Sequence, residues 1–163
     1  LQIDIPKSTV GEACVYFSAD WQPPLPHPFL VLNGEGGGPV NNIAFPSLVS
    51  PGYAPPGKTL IAAVVLGARY LQHPHMVDLV RKQCTDWFGP EVGAWEHLRT
   101  QVISHALPAQ EPPTVNPYSA PEPFAPGIRI CGEYGSLPGL QWALMSGERT
   151  GRSIVRSMAA TAA

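Results

Sequence analysis

The segment Thr59–Gly67, reading Thr-Leu-Ile-Ala-Ala-Val-Val-Leu-Gly, constrains the fold more than any other part of the chain. It is apolar at successive positions, so a strand built from it must be covered on both faces, which predicts a central strand. Glu12–Ala19, with Ala13, Cys14, Val15, Tyr16 and Phe17, predicts a second strand from its β-forming residues. Phe29–Leu32 predicts a third. Asn33-Gly34 opens a turn through Glu35, Gly36, Gly37, Gly38 and Pro39 before Val40–Leu48 resumes extended structure, so these two strands pair as a hairpin. Trp95–His105 alternates as a further strand, with Trp95, His97, Arg99, Gln101 and Ile103 on one side and Leu98, Thr100, Val102 and Ser104 on the other. Its mixed polarity places one face on a cavity or on solvent.

A helix is predicted after His73, with Pro74 in its first turn and a stripe of Met76, Leu79, Val80, Gln83 and Trp87, ending at Phe88-Gly89-Pro90. The chain has 20 prolines and 16 glycines, and the prolines cluster at Pro23–Pro28, Pro51–Pro56 and Pro108–Pro126. With 44% hydrophobic residues, that punctuation reads as ordered connections between elements, and Tyr53 as a packed loop residue. Leu107–Pro126 reads as one long loop, and Phe29–Leu32 with Leu60–Leu66 as core.

Only 13% of residues are charged and the net charge is -2, which excludes a nucleic-acid surface and an acidic tail. Cys14, Cys84 and Cys131 form neither a disulfide framework nor a zinc motif, so an intracellular, reducing compartment is expected. The chain has no run of eighteen apolar residues. Leu1-Gln2-Ile3 has no signal-peptide character and leads us to expect a piece of a longer chain.

Most candidate chemistry falls to ordinary structure. Gly34-Glu35-Gly36 begins like a dinucleotide fingerprint, but Pro39 stands at its sixth position and no amphipathic helix follows, so it reads as a hairpin turn. His73 and His75 lack further ligands for a metal and read as a helix start; no metal site is expected. His97 and His105 are candidate catalytic bases by residue type, but the sequence offers neither an identifiable Ser or Cys partner, and no G-x-S-x-G elbow is present.

The end of the chain is different. Gly127-Ile128-Arg129-Ile130-Cys131-Gly132-Glu133 predicts a short buried strand, Gly135–Gly139 a loop, and the residues that follow a helix with Pro138 near its first turn and an alanine-rich, fraying tail over Ser157–Ala163. A carboxylate at a strand end beside an incoming helix N-terminus suits a ligand that carries hydroxyls and partial negative charge.

This stretch resembles the C-terminal flavin-contacting motif of FAD-dependent oxidoreductases of the amine oxidase and phytoene desaturase superfamily. A weaker likeness covers Pro56–Ile61, Trp87-Phe88-Gly89 and Trp95 through Pro108, which look like the later half of that family's substrate domain. The resemblance implies an α+β fold: a mainly antiparallel or mixed substrate-domain sheet with one or two helices, plus the last strand and helix of an incomplete Rossmann-like FAD-binding domain. It implies residues 1–107 as part of the substrate-binding domain, 108–126 as a proline-rich connector and 127–163 as the flavin-domain segment. Glu133, after Gly132, would hold a ribityl hydroxyl, and the loop Pro138-Gly139 would lead the amides of Leu140 and Gln141 to the pyrimidine edge of the flavin. A hydride would pass from a substrate carbon to flavin N5, with a small and conceivably hydrophobic substrate against the sheet of residues 12–67. The dinucleotide fingerprint would come from a missing N-terminal region, in cis or in another chain, as in a larger assembly. Analogy with desaturase-like relatives suggests a plastid (chloroplast) or cyanobacterial setting. The sequence departs from the family at Gly139, where amine oxidases carry an aromatic cage residue, and at Trp142 and Met145 in the helix. These departures, with the missing fingerprint, leave open a non-catalytic structural or interaction subunit with a degenerate flavin site.

Overall fold

The structure, a computed structural model, describes residues 8–110, 116, 125, 127–133 and 136–161. The chain divides into two compact units, Val10–Ala106 and a second made of Leu1–Thr9 with Leu107–Ala163. The fold is α+β.

The first unit is built on a five-stranded sheet in the order β2-β3-β4-β1-β5, where β1 is Thr9–Ala19, β2 Val31–Leu32, β3 Val40–Ala44, β4 Thr59–Leu66 and β5 Glu96–Pro108. As its two-sided apolarity predicts, β4 is the middle strand, antiparallel to both β1 and β3. The predicted hairpin of β2 and β3 forms, with Val31 opposite Ile43. Across β1 and β4, Ala13 faces Val65, Val15 faces Ala63 and Phe17 faces Ile61, and all six are fully buried. These pairs form a closed apolar face on which a helix can lie.

That helix is α3, Met76–Phe88, which follows two four-residue helices, α1 (Pro46–Val49) and α2 (Ala68–Leu71). Met76, Val80 and Cys84 are its buried stripe, and they share one core with the inner face of the sheet, Val92 and Trp95. Gly89, at φ 91°, stops α3 where a side chain would be strained. Arg81 Nη1 then donates to the carbonyls of Val92 (2.9 Å) and Trp95 (2.7 Å), which holds the 3-10 turn Pro90–Ala94 against the helix. Trp95 lies 5.2 Å from Trp21 and 5.7 Å from Phe17 between ring centroids, an aromatic seam that closes the core.

Several expectations are corrected. Val40–Leu48 is extended only to Ala44, because Pro46 opens α1. Phe29, Leu30, Leu32 and Tyr53 are largely exposed and outside the core. β5 is exposed along nearly its whole length on both faces, and it runs on through Leu107 and Pro108. Most of the remaining connector to Pro126 lies outside the described residues.

Among the described residues of the second unit the predicted strand over 127–133 does not form, and the pairing seen there is a single bridge between Ala125 and Ile128. A strand needs a partner along its length, and the described residues supply none for Arg129, Ile130 and Cys131. The helix α4, Leu140–Thr161, begins after Pro138, which stands outside its first turn. α4 runs through Thr161, and the last two residues of the tail expected to fray lie outside the described residues.

Candidate functional site

The residues singled out in the C-terminal stretch come together around the start of α4. Gly132, at φ 120°, turns the chain and donates its N–H to Ser146 Oγ at 3.1 Å, tying the loop to the second turn of the helix. Glu133 follows, half-buried, and its Oε1 accepts the N–H of Gly139 at 2.8 Å. Gly139, at φ 134°, caps α4: its carbonyl accepts the N–H groups of Trp142 (3.0 Å) and Ala143 (3.1 Å). The carboxylate thus sits beside the positive end of a 22-residue helix, where partial charge favours an anion.

Two amides of that first turn remain uncommitted. Leu140 and Gln141 have no acceptor for their N–H groups among the described residues, and both residues are exposed. Pro138 is half-buried in the bend that sets the helix direction.

The sequence did not signal Gln110 or Ser136. Gln110 Nε2 donates to the carbonyls of Glu133 and Ser136, pinning the loop from a distant part of the chain. The Ser136 hydroxyl and Gln110 Oε1 are buried without a hydrogen-bond partner. Tertiary contacts of this kind have no local periodicity; in the sequence this region is marked by the Gly132-Glu133 pair and the Leu-Pro-Gly run before α4.

Tested against a flavin, these residues fit one edge of it. Uncommitted amides at a helix start suit the electron-rich N1 and O2 edge, the second oxygen of Glu133 suits a hydroxyl, and a Cβ at Gly132 would meet nothing within 4 Å. At Gly139, where the resemblance implied an aromatic residue, the backbone φ of 134° strains any side chain, and an added Cβ would also meet Gln141 at 3.0 Å.

In the first unit, the sheet face opposite α3 is the other candidate surface. Cys14, Tyr16 and Ser18 of β1 point there beside Val64, Ala62 and Leu60 of β4, all half-buried except the buried Ala62. Burial raises the Cys14 thiol above its ordinary range, with a lesser opposing effect from its hydrogen bond to Tyr16. That bond to Cys14 is the main cause raising the phenol of Tyr16. Both groups stay protonated near neutrality, so the pair offers a polar contact in an apolar surface and no nucleophile. His97 stacks edge-on against Phe17 at 5.8 Å and bonds to Thr100, and no hydrogen bond shown joins it to Ser or Cys. Among the described residues no cluster of three metal-ligating side chains occurs.

No family model and no curated protein matches the chain. It is similar in structure to an oxidoreductase from Methanosarcina mazei, with a TM-score of 0.64 at 17% identity over 88% of this chain. It also matches the PF1083 protein from Pyrococcus furiosus over 63% of its length, at 17% identity and a TM-score of 0.45. The chain spans 35% of the Methanosarcina oxidoreductase and 24% of the Pyrococcus protein. The chain therefore shares the fold of part of the Methanosarcina protein.

Proposed function

We propose that this chain forms part of an FAD-dependent oxidoreductase of the amine oxidase and phytoene desaturase type, and that the α4 start holds one edge of the flavin. The observation that carries this reading is the pair of uncommitted amides at Leu140 and Gln141 next to the Glu133 carboxylate. Bound flavin would supply N5 as hydride acceptor. The protein's part is to orient the cofactor and to stabilise negative charge at its pyrimidine edge. Glu133 takes a flavin hydroxyl on its second oxygen while Gly139 holds the first, so the carboxylate arrives pre-oriented. The half-buried face of Cys14, Tyr16, Val64 and Leu60 is the surface for an apolar substrate. The adenosine end of the cofactor belongs to a dinucleotide-binding region outside this chain.

One observation favours the second reading, a non-catalytic interaction subunit: Glu133 is already hydrogen-bonded within its own loop. Titration of the labelled chain with about 1 mM FAD, followed by amide NMR, separates the two in the weak range a half-site allows. The Leu140 and Gln141 signals should move first, and Glu133→Ala should weaken the response at least tenfold, as loss of a charge-assisted bond of about 1.5–3 kcal/mol requires. Unmoved Leu140 and Gln141 signals at that concentration would leave only the interaction-subunit reading.

A further inference from the structure

Glu133 can serve a ligand well only if its free oxygen stays in one place, and a glutamate left to itself does not hold still. Several rotatable bonds separate the carboxylate from the backbone, so a loose loop would spread that oxygen over many positions and the ligand would have to order it. One side chain from far along the sequence prevents this. Gln110 Nε2 donates to the Glu133 carbonyl at 3.1 Å and to the Ser136 carbonyl, 23 and 26 residues away. The Ser136 N–H donates to the same Glu133 carbonyl at 3.2 Å, and the Gly139 N–H to the Glu133 carboxylate at 2.8 Å.

The two hydrogens of an amide nitrogen lie in one plane, and here they serve two different carbonyls, so Gln110 fixes the spacing between them. The amide cannot be turned over, because its oxygen would then face two carbonyl oxygens. That orientation leaves Gln110 Oε1 buried with no partner, at a cost in stability that calls for a reason beyond packing. The backbone beside it is fixed as well, since the Ala109 N–H donates to the Ser8 carbonyl at 3.0 Å. With its oxygen buried and its nitrogen committed, Gln110 acts on the loop from inside and not on a ligand.

We propose that Gln110 is the positioning residue of this site: by clamping the carbonyls of Glu133 and Ser136 it holds the Glu133 carboxylate on Gly139 and aims the second oxygen at the ligand hydroxyl. This role rests on the flavin reading of the α4 start. Gln110 acts through Glu133 alone, because the Leu140 and Gln141 amides take their direction from α4.

Two measurements on the labelled chain test it, one without ligand and one with FAD. Gln110→Met keeps most of the side-chain volume and removes both donors, while Gln110→Asn keeps an amide too short to reach both carbonyls. In the free protein, amide hydrogen exchange at Gly139 should quicken about tenfold in Gln110→Met and less in Gln110→Asn, as expected for loss of a local hydrogen bond. Amides from Ser146 to Ile154 should exchange as in the wild type. In the FAD titration, Gln110→Met should weaken the Leu140 and Gln141 response about fivefold when Glu133 is present, and less than about twofold when Glu133 is already alanine, since residues acting as one unit are not additive. Equal losses in the two backgrounds would overturn the proposal and make Gln110 a general support of the loop. Unchanged exchange at Gly139 would overturn it too, whatever FAD does. Faster exchange at Gly139 in a chain whose wild type gives no response to FAD would instead sink the flavin reading, and with it the ligand role of Gln110.

Discussion

Gly139 shows how one backbone angle decides what a site can contain. At φ 134° it donates its N–H to the Glu133 carboxylate and accepts two helix amides at its carbonyl, so it joins the acidic residue to α4. Gly139→Ala should destabilise the start of α4 by about 1–3 kcal/mol, the usual cost of a side chain in such a backbone region. Amide exchange at Trp142 and Ala143 measures this directly, and unchanged protection would show that the loop re-forms around the new residue. Cys84 makes a second prediction at this scale. Burial pushes its thiol up to about 12, with Arg81 opposing only in part. Below the thiol's unfolded range, near 8.5, both states hold the proton and the full stabilisation is present. Between there and about 12 the unfolded chain loses the proton while the folded chain keeps it, so stability falls as pH rises. Cys84→Ala should remove that part of the alkaline slope, at most about 1.4 kcal/mol per pH unit, as urea unfolding at a series of alkaline pH values would record. Identical slopes in the two proteins would mean that Cys84 is solvated where it stands.

At the scale of elements, the glycine turn between β2 and β3 shows why a phosphate cradle does not form. Asn33 Oδ1 already accepts the N–H groups of Glu35 and Gly36, and its Nδ2 donates to the carbonyls of Gly37 and Val40. Gln83 of α3 completes the clamp, accepting the Val40 N–H at 2.8 Å and donating to the Gly37 carbonyl at 2.8 Å. Gly38 has φ 74°, and a Cβ there would stand 2.3 Å from Gln83 Oε1. Gly38→Ala should therefore cost more than Gln83→Ala: about 1–2 kcal/mol of backbone strain is added to lost hydrogen bonds worth about 1 kcal/mol each. Thermal unfolding of both variants gives the order, and the reverse order would mean that the turn shifts freely. The turn, the central β4 and the stripe of α3 were legible because each rests on local chemistry: turn residues, a two-sided apolar run and a 3.6-residue period. The strand expected over 127–133 had the right alternation in Ile128 and Ile130, yet alternation cannot supply a pairing partner. Phe29, Leu30 and Leu32 misled in another way, since an apolar run reads alike whether or not another layer covers it. In the site, Gly132, Glu133, Leu140 and Gln141 were legible as a Gly-acid pair before a helix, while Gln110 and Ser146 reach it only through the tertiary fold.

For the molecule as a whole, the sheet's outer edge is the feature that most affects behaviour in solution. β5 is the edge strand, 13 residues long, with no proline before its last residue and with Leu98, Val102 and Ile103 exposed. Natural sheets blunt such an edge with lysine, proline or a bulge, because unpaired N–H and C=O groups recruit any extended segment they meet. β5 has no lysine, and its charged residues Glu96 and Arg99 lie toward one end, so the stretch Val102–Leu107 is unprotected. This edge should therefore drive aggregation on heating. Ile103→Lys places a charge where the side chain is already partly in water, so it should leave the unfolding transition nearly unchanged, within about 0.5 kcal/mol. The same change should raise the temperature at which light scattering begins and slow the loss of soluble protein at fixed temperature. Leu144→Glu in α4 should not have that effect. If Ile103→Lys aggregates as fast as the wild type while Leu144→Glu is protected, the apolar face of α4 is the aggregating surface and β5 is harmless.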